Sequence, residues 1–236
     1  LFTNLNFEVV LSPESTRSLY IKGQQTIPSD TVCYPAKLLH GHVMALLDEG
    51  VDTIFYPCMS YNFDEHLADN HYNCPVVAYY PDLLAVNIPA LSKVKYLHPN
   101  LGIHRPKDFE KKGAKLLAEE FGVPKREAVK AIRKAYEAYH GFRDLVQQKG
   151  AEYIDFARKS GRKILVVAGR PYHMDPEINH GINDLITSFG FVLVTEDAVF
   201  QHMGKEPRHV LNQWTYHARM YNAARYVCTQ PDMAFI

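Results

Sequence analysis

Lys163-Ile164-Leu165-Val166-Val167-Ala168, followed at once by Gly169-Arg170-Pro171, is the stretch that decides the fold class. An aliphatic and β-branched run with no polar alternation has no solvent face. It therefore reads as a strand covered on both sides, and such strands belong to parallel sheets flanked by helices. The Gly and Pro that close it mark a loop. Outward from it, the spacing predicts a helix from about Glu177 to Phe189, a strand over Phe191 to Thr195, and an amphipathic helix around Arg208 to Ala224 running into a strand at Tyr226-Val227-Cys228. Upstream, Phe7 to Leu11, Thr53 to Tyr56, Val76 to Tyr80 and, more weakly, Val94 to Leu97 read as strands. Pro35 to Glu49 carries Leu38, Leu39, Val43, Leu46 and Leu47 at helical spacing, and Gly50 closes it. From Lys107 to about Arg162 the chain is charged, Ala-rich and helical, with Pro124 opening a segment in which Val129, Ile132, Tyr136 and Tyr139 keep the helical period. The expected architecture is α/β. Two Rossmann-like parallel-sheet units, residues 1–105 and 161–236, are joined by a helical connection over 106–160, the second unit being truncated.

Composition narrows the function. The 236 residues carry no net formal charge, with 26 Lys plus Arg against 26 Asp plus Glu, and 47% are apolar, so a disordered chain is excluded. Nothing supplies the basic excess that a nucleic-acid backbone demands, so no nucleic-acid partner is expected. No apolar run approaches the roughly 20 residues needed to span a bilayer, so no membrane partner is expected either. Four Cys are too few for a disulfide-dense secreted scaffold, and a reducing cytoplasm fits them best. The chain starts without Met and stops at Met233-Ala234-Phe235-Ile236, which has the composition of a buried strand and suggests a piece of something longer.

Cys33 lies just ahead of Pro35, near the positive end of a predicted helix, where a thiolate is favoured. Lys37, four residues on, stands about one turn away, ready to neutralise a thiolate or another anion. The alternative is a small buried cysteine at a helix start. Cys58 follows a predicted strand, the end at which parallel sheets gather ligands. Cys74 precedes its predicted strand, at the opposite end unless its loop folds back over the sheet, and ranks below the other two. Cys228 reads as structural. The intervals between successive cysteines are 25, 16 and 154 residues, so no compact C-x-x-C metal motif is present. A second region, Gly169 to Gly181, again joins a strand to a helix and contains Arg170, His173, Asp175, Glu177 and His180. Its backbone N–H groups and Arg170 suit an anion, and its His and carboxylates suit acid–base work or a hard metal; capping of the next helix explains the carboxylates equally well. Among the 12 His, His40, His42, His66 and His71 cluster around the cysteine segments.

Taken in order, Thr26 to His42 with Ser29-Asp30-Thr31-Val32-Cys33-Tyr34-Pro35-Ala36-Lys37, Gly50-Val51-Asp52 leading to Phe55-Tyr56-Pro57-Cys58-Met59, Asp69-Asn70-His71-Tyr72-Asn73-Cys74-Pro75, and Gly169-Arg170-Pro171-Tyr172-His173 with Asp175 to Gly181 resemble the activase-related domain of the 2-hydroxyacyl-CoA (2-hydroxyglutaryl-CoA) dehydratase system. The resemblance spans about residues 5 to 236. It implies a large cytoplasmic protein of an anaerobic bacterium, in which this domain accompanies an ATP-hydrolysing activator module and a dehydratase-like domain, in one chain or as neighbours. It implies Rossmann-like domains holding a [4Fe–4S] cluster through scattered cysteines. Carried over, Cys33 and Cys58 are the leading ligands and Cys74 a further one. The family's pattern continues past this chain's end into another Cys-containing segment, which would leave the ligand set here incomplete. The implied chemistry is low-potential electron transfer or radical dehydration of a 2-hydroxyacyl-CoA, with an acyl-CoA as substrate. Lys37, His40, Arg170, His173 and His180 are the expected ligand or anion contacts. Two other readings stand beside it: an α/β module that binds a phosphate or carboxylate through the Arg170 loop, with structural cysteines, and a zinc hydrolase using His173, His180 and a carboxylate.

Overall fold

The computed structural model describes residues 1–206 and 209–236. In chain order the elements are α1 (Arg17–Gly23), α2 (Tyr34–Asp48), β1 (Thr53–Phe55), α3 (Pro75–Asn87), β2 (Lys95–Leu97), α4 (Pro106–Phe121), α5 (Lys125–Lys159), β3 (Ile164–Val167), α6 (Pro176–Asn179), α7 (Ile182–Ser188), β4 (Val192–Thr195), α8 (Thr215–Val227) and β5 (Met233–Phe235), with short 3-10 turns between them. All strand pairs are parallel, and the fold is α/β with two small sheets, β1-β2 and β4-β3-β5. Two compact units result. The first comprises Leu1–Asn62, Asn73–Tyr136 and Asp175–Ile178; the second comprises Phe63–Tyr72, Glu137–Met174 and Asn179–Ile236. The helical stretch after residue 105 is thus shared between them, α4 and the start of α5 lying in the first unit and the rest of α5 in the second.

In the first unit β1 and β2 pair in register from Thr53↔Lys95 to Phe55↔Leu97, and the ladder resumes at Cys58↔Asn100. One core gathers Ala36, Val43, Ile54, Tyr80, Leu84, Ile88 and Leu91 around this pair. A second forms where α4 and α5 bring Ala114, Leu117, Ala128 and Ile132 together. Helices α1 and α2 cross backbone to backbone. A Cβ on Gly41 would lie 2.0 Å from the Leu19 carbonyl oxygen, and one on Gly23 2.2 Å from the Gly41 nitrogen. Only glycine permits that approach.

In the first unit two segments expected as strands are not strands. Phe7 to Leu11 has no regular structure and joins no strand ladder among the described residues, and Val9, Val10 and Leu11 are exposed. β-Branched residues favour an extended backbone, but without a neighbouring ladder they make no sheet. Val76 to Tyr80 lies inside α3. Pro75 in the first turn favours helix initiation, and the helix buries Ala78, Tyr80, Pro81 and Leu84. Pro81 has no N–H to offer the Val77 carbonyl four residues back, and the Met59 N–H uses that carbonyl instead, at 3.4 Å. The defect therefore ties the loop after Cys58 to α3.

In the second unit β3 is central, with Ile164↔Val192 on one side and Ile164↔Met233 on the other. Its core holds Ile154, Ala157, Ile164, Val166, Val192, Val194, Val199, Ala223 and Val227. The single helix expected over 177–189 is broken into α6 and α7 by two left-handed residues, His180 (φ 53°) and Gly181 (φ 77°). The expected start of the last helix at Arg208 falls outside the described residues, and α8 begins at Thr215. Tyr226 to Cys228 closes α8 rather than forming a strand, and Cys228 is an exposed C-cap, not a buried structural cysteine. The terminal strand is β5, one step later.

Candidate functional site

Three cysteines stand at the ends of elements of the first unit. Cys58 follows β1 and is 1% exposed. Its backbone is fixed on both sides, donating to the Pro99 carbonyl at 3.0 Å and accepting from Leu101 N–H at 3.1 Å. Cys33 and Cys74 are the N-caps of α2 and α3, both in extended conformation and both preceding a proline in the first turn. Neither side chain makes the capping hydrogen bond, so both thiols are left for other use beside the positive ends of helix dipoles. Cys33 is exposed and Cys74 half-buried. The expectation that Cys74 lies at the wrong end of a strand is corrected by α3: it is a helix start, like Cys33.

Two tyrosines lie within electrostatic reach of the cysteines. Burial pushes Tyr56 up to about 12, and charge on Cys58, Tyr80 and Cys74 adds to it. Burial pushes Tyr80 up to about 12 as well, with Cys33 as the added charge. Burial and then Asp82 push the Cys58 thiol up, holding it protonated. Asp82 also pairs with His98 Nδ1 at 2.7 Å.

His40 is fully buried and serves the core. The Thr26 hydroxyl donates its proton to the Gly23 carbonyl at 2.8 Å, so at 2.7 Å from His40 Nδ1 it accepts. That leaves His40 Nε2 to accept from the Tyr80 hydroxyl at 3.0 Å. Burial drives His40 down to about 4, so it is neutral at pH 7 and offers an anion nothing. Lys37 donates to the Asp30 carbonyl at 2.8 Å and closes its own turn.

One constellation went unread in the sequence. Asp175 Oδ1 accepts from the N–H groups of Glu177 and Ile178, capping α6, while Oδ2 accepts from the Ser15 hydroxyl at 2.5 Å. His42 Nε2 lies 3.0 Å from Ser15 Oγ, and its Nδ1 lies 3.0 Å from Ser12 Oγ. Because the Ser15 proton is spent on Asp175, His42 donates to Ser15 and cannot act as its base, which excludes a hydrolase-type triad. Tyr34, next to Cys33, donates to Glu177 Oε1 at 2.7 Å. Asp175 and Glu177 thus dock their segment on α1, α2 and the turn before them.

In the second unit Arg170 and His173 follow β3. His173 Nδ1 bonds the Arg170 carbonyl, and Gly169 lets the ring lie close, since a Cβ there would meet His173 Cγ at 2.9 Å. His180 is exposed on its left-handed turn, apart from this cluster. The sequence reading missed Glu196, the residue immediately after β4, which is 1% exposed. The signal was available: a carboxylate directly following an apolar strand at a sheet's carboxyl end. It also missed Arg219 on α8, which forks onto Glu65 at 2.7 and 2.6 Å and reaches Asp197 at 2.7 Å, between the rings of Phe200 and Tyr216. Burial works against the Arg219 charge, yet Glu65 and Asp197 outweigh it and raise the pKa. Among the described residues, no three His, Cys, Asp or Glu side chains converge tightly enough to hold a metal ion, so a zinc site on His173 and His180 has no support. No described helix is long and apolar enough to cross a membrane.

Fold and side chains together define an α/β protein of the parallel-sheet class, with its reactive groups at strand ends and helix starts. The chain belongs to the family described as CoA enzyme activase uncharacterised domain (DUF2229), whose model matches residues 1–199. That span takes in the three cysteines of the first unit, the Arg170 loop and Glu196. No curated protein and no solved structure matches the chain. Membership of an activase family implies, in general terms, an enzyme that is activated.

Proposed function

We propose that this chain is an electron-handling domain of a CoA-enzyme activating system, and that its first unit holds a [4Fe–4S] cluster through Cys33, Cys58 and Cys74. The observation that supports the reading is that Cys33, Cys58 and Cys74 each stand at the end of a regular element of the first unit and each acts electrostatically on Tyr56 or Tyr80. A four-iron cluster is wider than a single ion, so its ligands need not converge on one point. The donor set fits it in kind, because thiolates are the ordinary ligands of such clusters. When bound, such a cluster would supply low-potential electrons.

The chain's own residues prepare that role. Cys33 and Cys74 stand at the starts of α2 and α3, beside backbone N–H groups that suit a negatively charged group. Burial and Asp82 hold the proton on Cys58, so ligation would have to displace it to solvent. His40 fixes the Tyr80 hydroxyl behind Cys33. Nothing in the sequence resembles a phosphate-cradling loop, so ATP hydrolysis is assigned to a separate activator module, with a dehydratase-like enzyme as the recipient of electrons.

Anaerobic reconstitution with iron and sulfide, followed by metal and sulfide analysis, tests the proposal. The expected result is about four iron and four sulfide per chain with a brown chromophore, lost in C33S/C58S/C74S. A colourless, iron-free protein, or iron content untouched by the triple substitution, overturns it.

A further inference from the structure

The second unit carries a polar pair that the cluster reading does not use. The connection leaving β3 runs to β4 on one side, and the connection leaving β4 turns back past β3 to β5 on the other. Both connections leave from the carboxyl end of the sheet, the end at which open parallel sheets place their ligands. His173 comes from the loop after β3 and Glu196 from the residue after β4.

Backbone N–H groups of Gly169 and of Glu196 itself donate to the Glu196 carboxylate, while Oε2 is buried without a hydrogen-bond partner. His173 Nε2 is likewise buried without one, and the two atoms face each other at 3.8 Å. Because His173 Nδ1 bonds a carbonyl, it carries the ring proton, and Nε2 of the neutral ring presents a lone pair. A shift of about 1 Å would bring the two atoms to hydrogen-bond distance. Buried polar atoms left facing each other in this way call for a proton between them. Burial, then the Asp197 carboxylate, pushes Glu196 up to about 7, so that near neutral pH the carboxyl has a proton to offer.

We propose that Glu196 and His173 form a proton-operated latch at the carboxyl end of the second unit's sheet, seating the Gly169–Met174 segment while one proton is held between Oε2 and Nε2 and releasing it when that proton passes to solvent. With the proton gone, a carboxylate oxygen and a nitrogen lone pair face each other and repel. The charged and titratable groups around the pair are Asp197 beside Glu196, Arg219 on α8 with its partner Glu65, and Arg170 in the His173 loop with His217 near its guanidinium. Arg219 is committed to Glu65 and Asp197, so it only partly offsets the repulsion. The latch makes the seating of the loop after β3 depend on pH, and it stands or falls independently of any cluster in the first unit.

The His173 amide, which donates to the Arg170 carbonyl at 2.8 Å, is the reporter. Its hydrogen-exchange protection, corrected for the intrinsic pH dependence of exchange, is expected to fall about tenfold between pH 6 and pH 8, the loss of about one hydrogen bond. In E196Q the amide N–H group replaces the acid proton at every pH, and protection should stay high through pH 8. The 15N shift of His173 Nε2 in the unsubstituted protein should follow the same midpoint. Protection that is flat with pH, an E196Q profile that falls like the parent's, or a ring nitrogen that ignores the transition overturns the latch.

Discussion

Replacing Glu196 by Gln should make the second unit more stable at neutral pH, in the way its burial requires. The folded carboxyl titrates at about 7, against 4.5 for the exposed group. Each tenfold change in proton affinity is worth about 1.4 kcal/mol, so ionised Glu196 costs the folded state about 3 kcal/mol. Between those two values the folded form binds more protons than the unfolded form, so stability falls as pH rises from 4.5 to about 7 and levels off above. Gln is neutral throughout and keeps the acceptor that the Gly169 N–H uses. The stability gap between E196Q and the parent should therefore be near zero at pH 4 and grow to about 3 kcal/mol at pH 8. The chain's one tryptophan, Trp214, lies in the second unit, so urea unfolding followed by its fluorescence reports that unit. Parallel stability curves for the two proteins between pH 4 and pH 8 would refute the assignment of a buried, reluctantly ionised carboxyl.

Two other substitutions test the packing on which the sites stand. R219M should destabilise the second unit by about 1–3 kcal/mol, because Glu65 is left with Arg143 alone and Asp197 loses its cation, and the loss should shrink in R219M/E65Q; equal losses in single and double variants would show that the network is not what holds α8. G41A should cost the first unit several kcal/mol, about 3 or more, since its Cβ would lie 2.0 Å from the Leu19 carbonyl oxygen and the two helix backbones would have to part. Thermal denaturation followed by far-ultraviolet circular dichroism would register it, and an unchanged melting temperature would contradict the backbone-to-backbone crossing.

Local pattern sufficed where one element explains its own residues. Ile164 to Val167 could only be a covered parallel strand, and the spacing of leucines from Pro35 to Glu49 with Gly50 beyond could only be a helix with a left-handed stop. It failed where two local readings coexist. Val76 to Tyr80 is β-branched and aromatic enough for a strand, but Pro75 and the buried face formed with Leu84 favour the helix. Phe7 to Leu11 had the composition of a strand and no partner to pair with.

By itself, then, the sequence determined the α/β class, the parallel strands and the presence of cysteines near element ends, because hydrophobic period, proline and glycine act within a few residues. Tertiary structure decided the rest. It turned Cys74 from a strand's wrong end into a helix start beside Tyr56, closed His40 into the core between Thr26 and Tyr80, and set Glu196 against His173. Burial and the approach of groups distant in the chain set those charges and protons. Both arise only when the elements pack, since desolvation and Coulomb energy depend on distance in space rather than on separation in sequence.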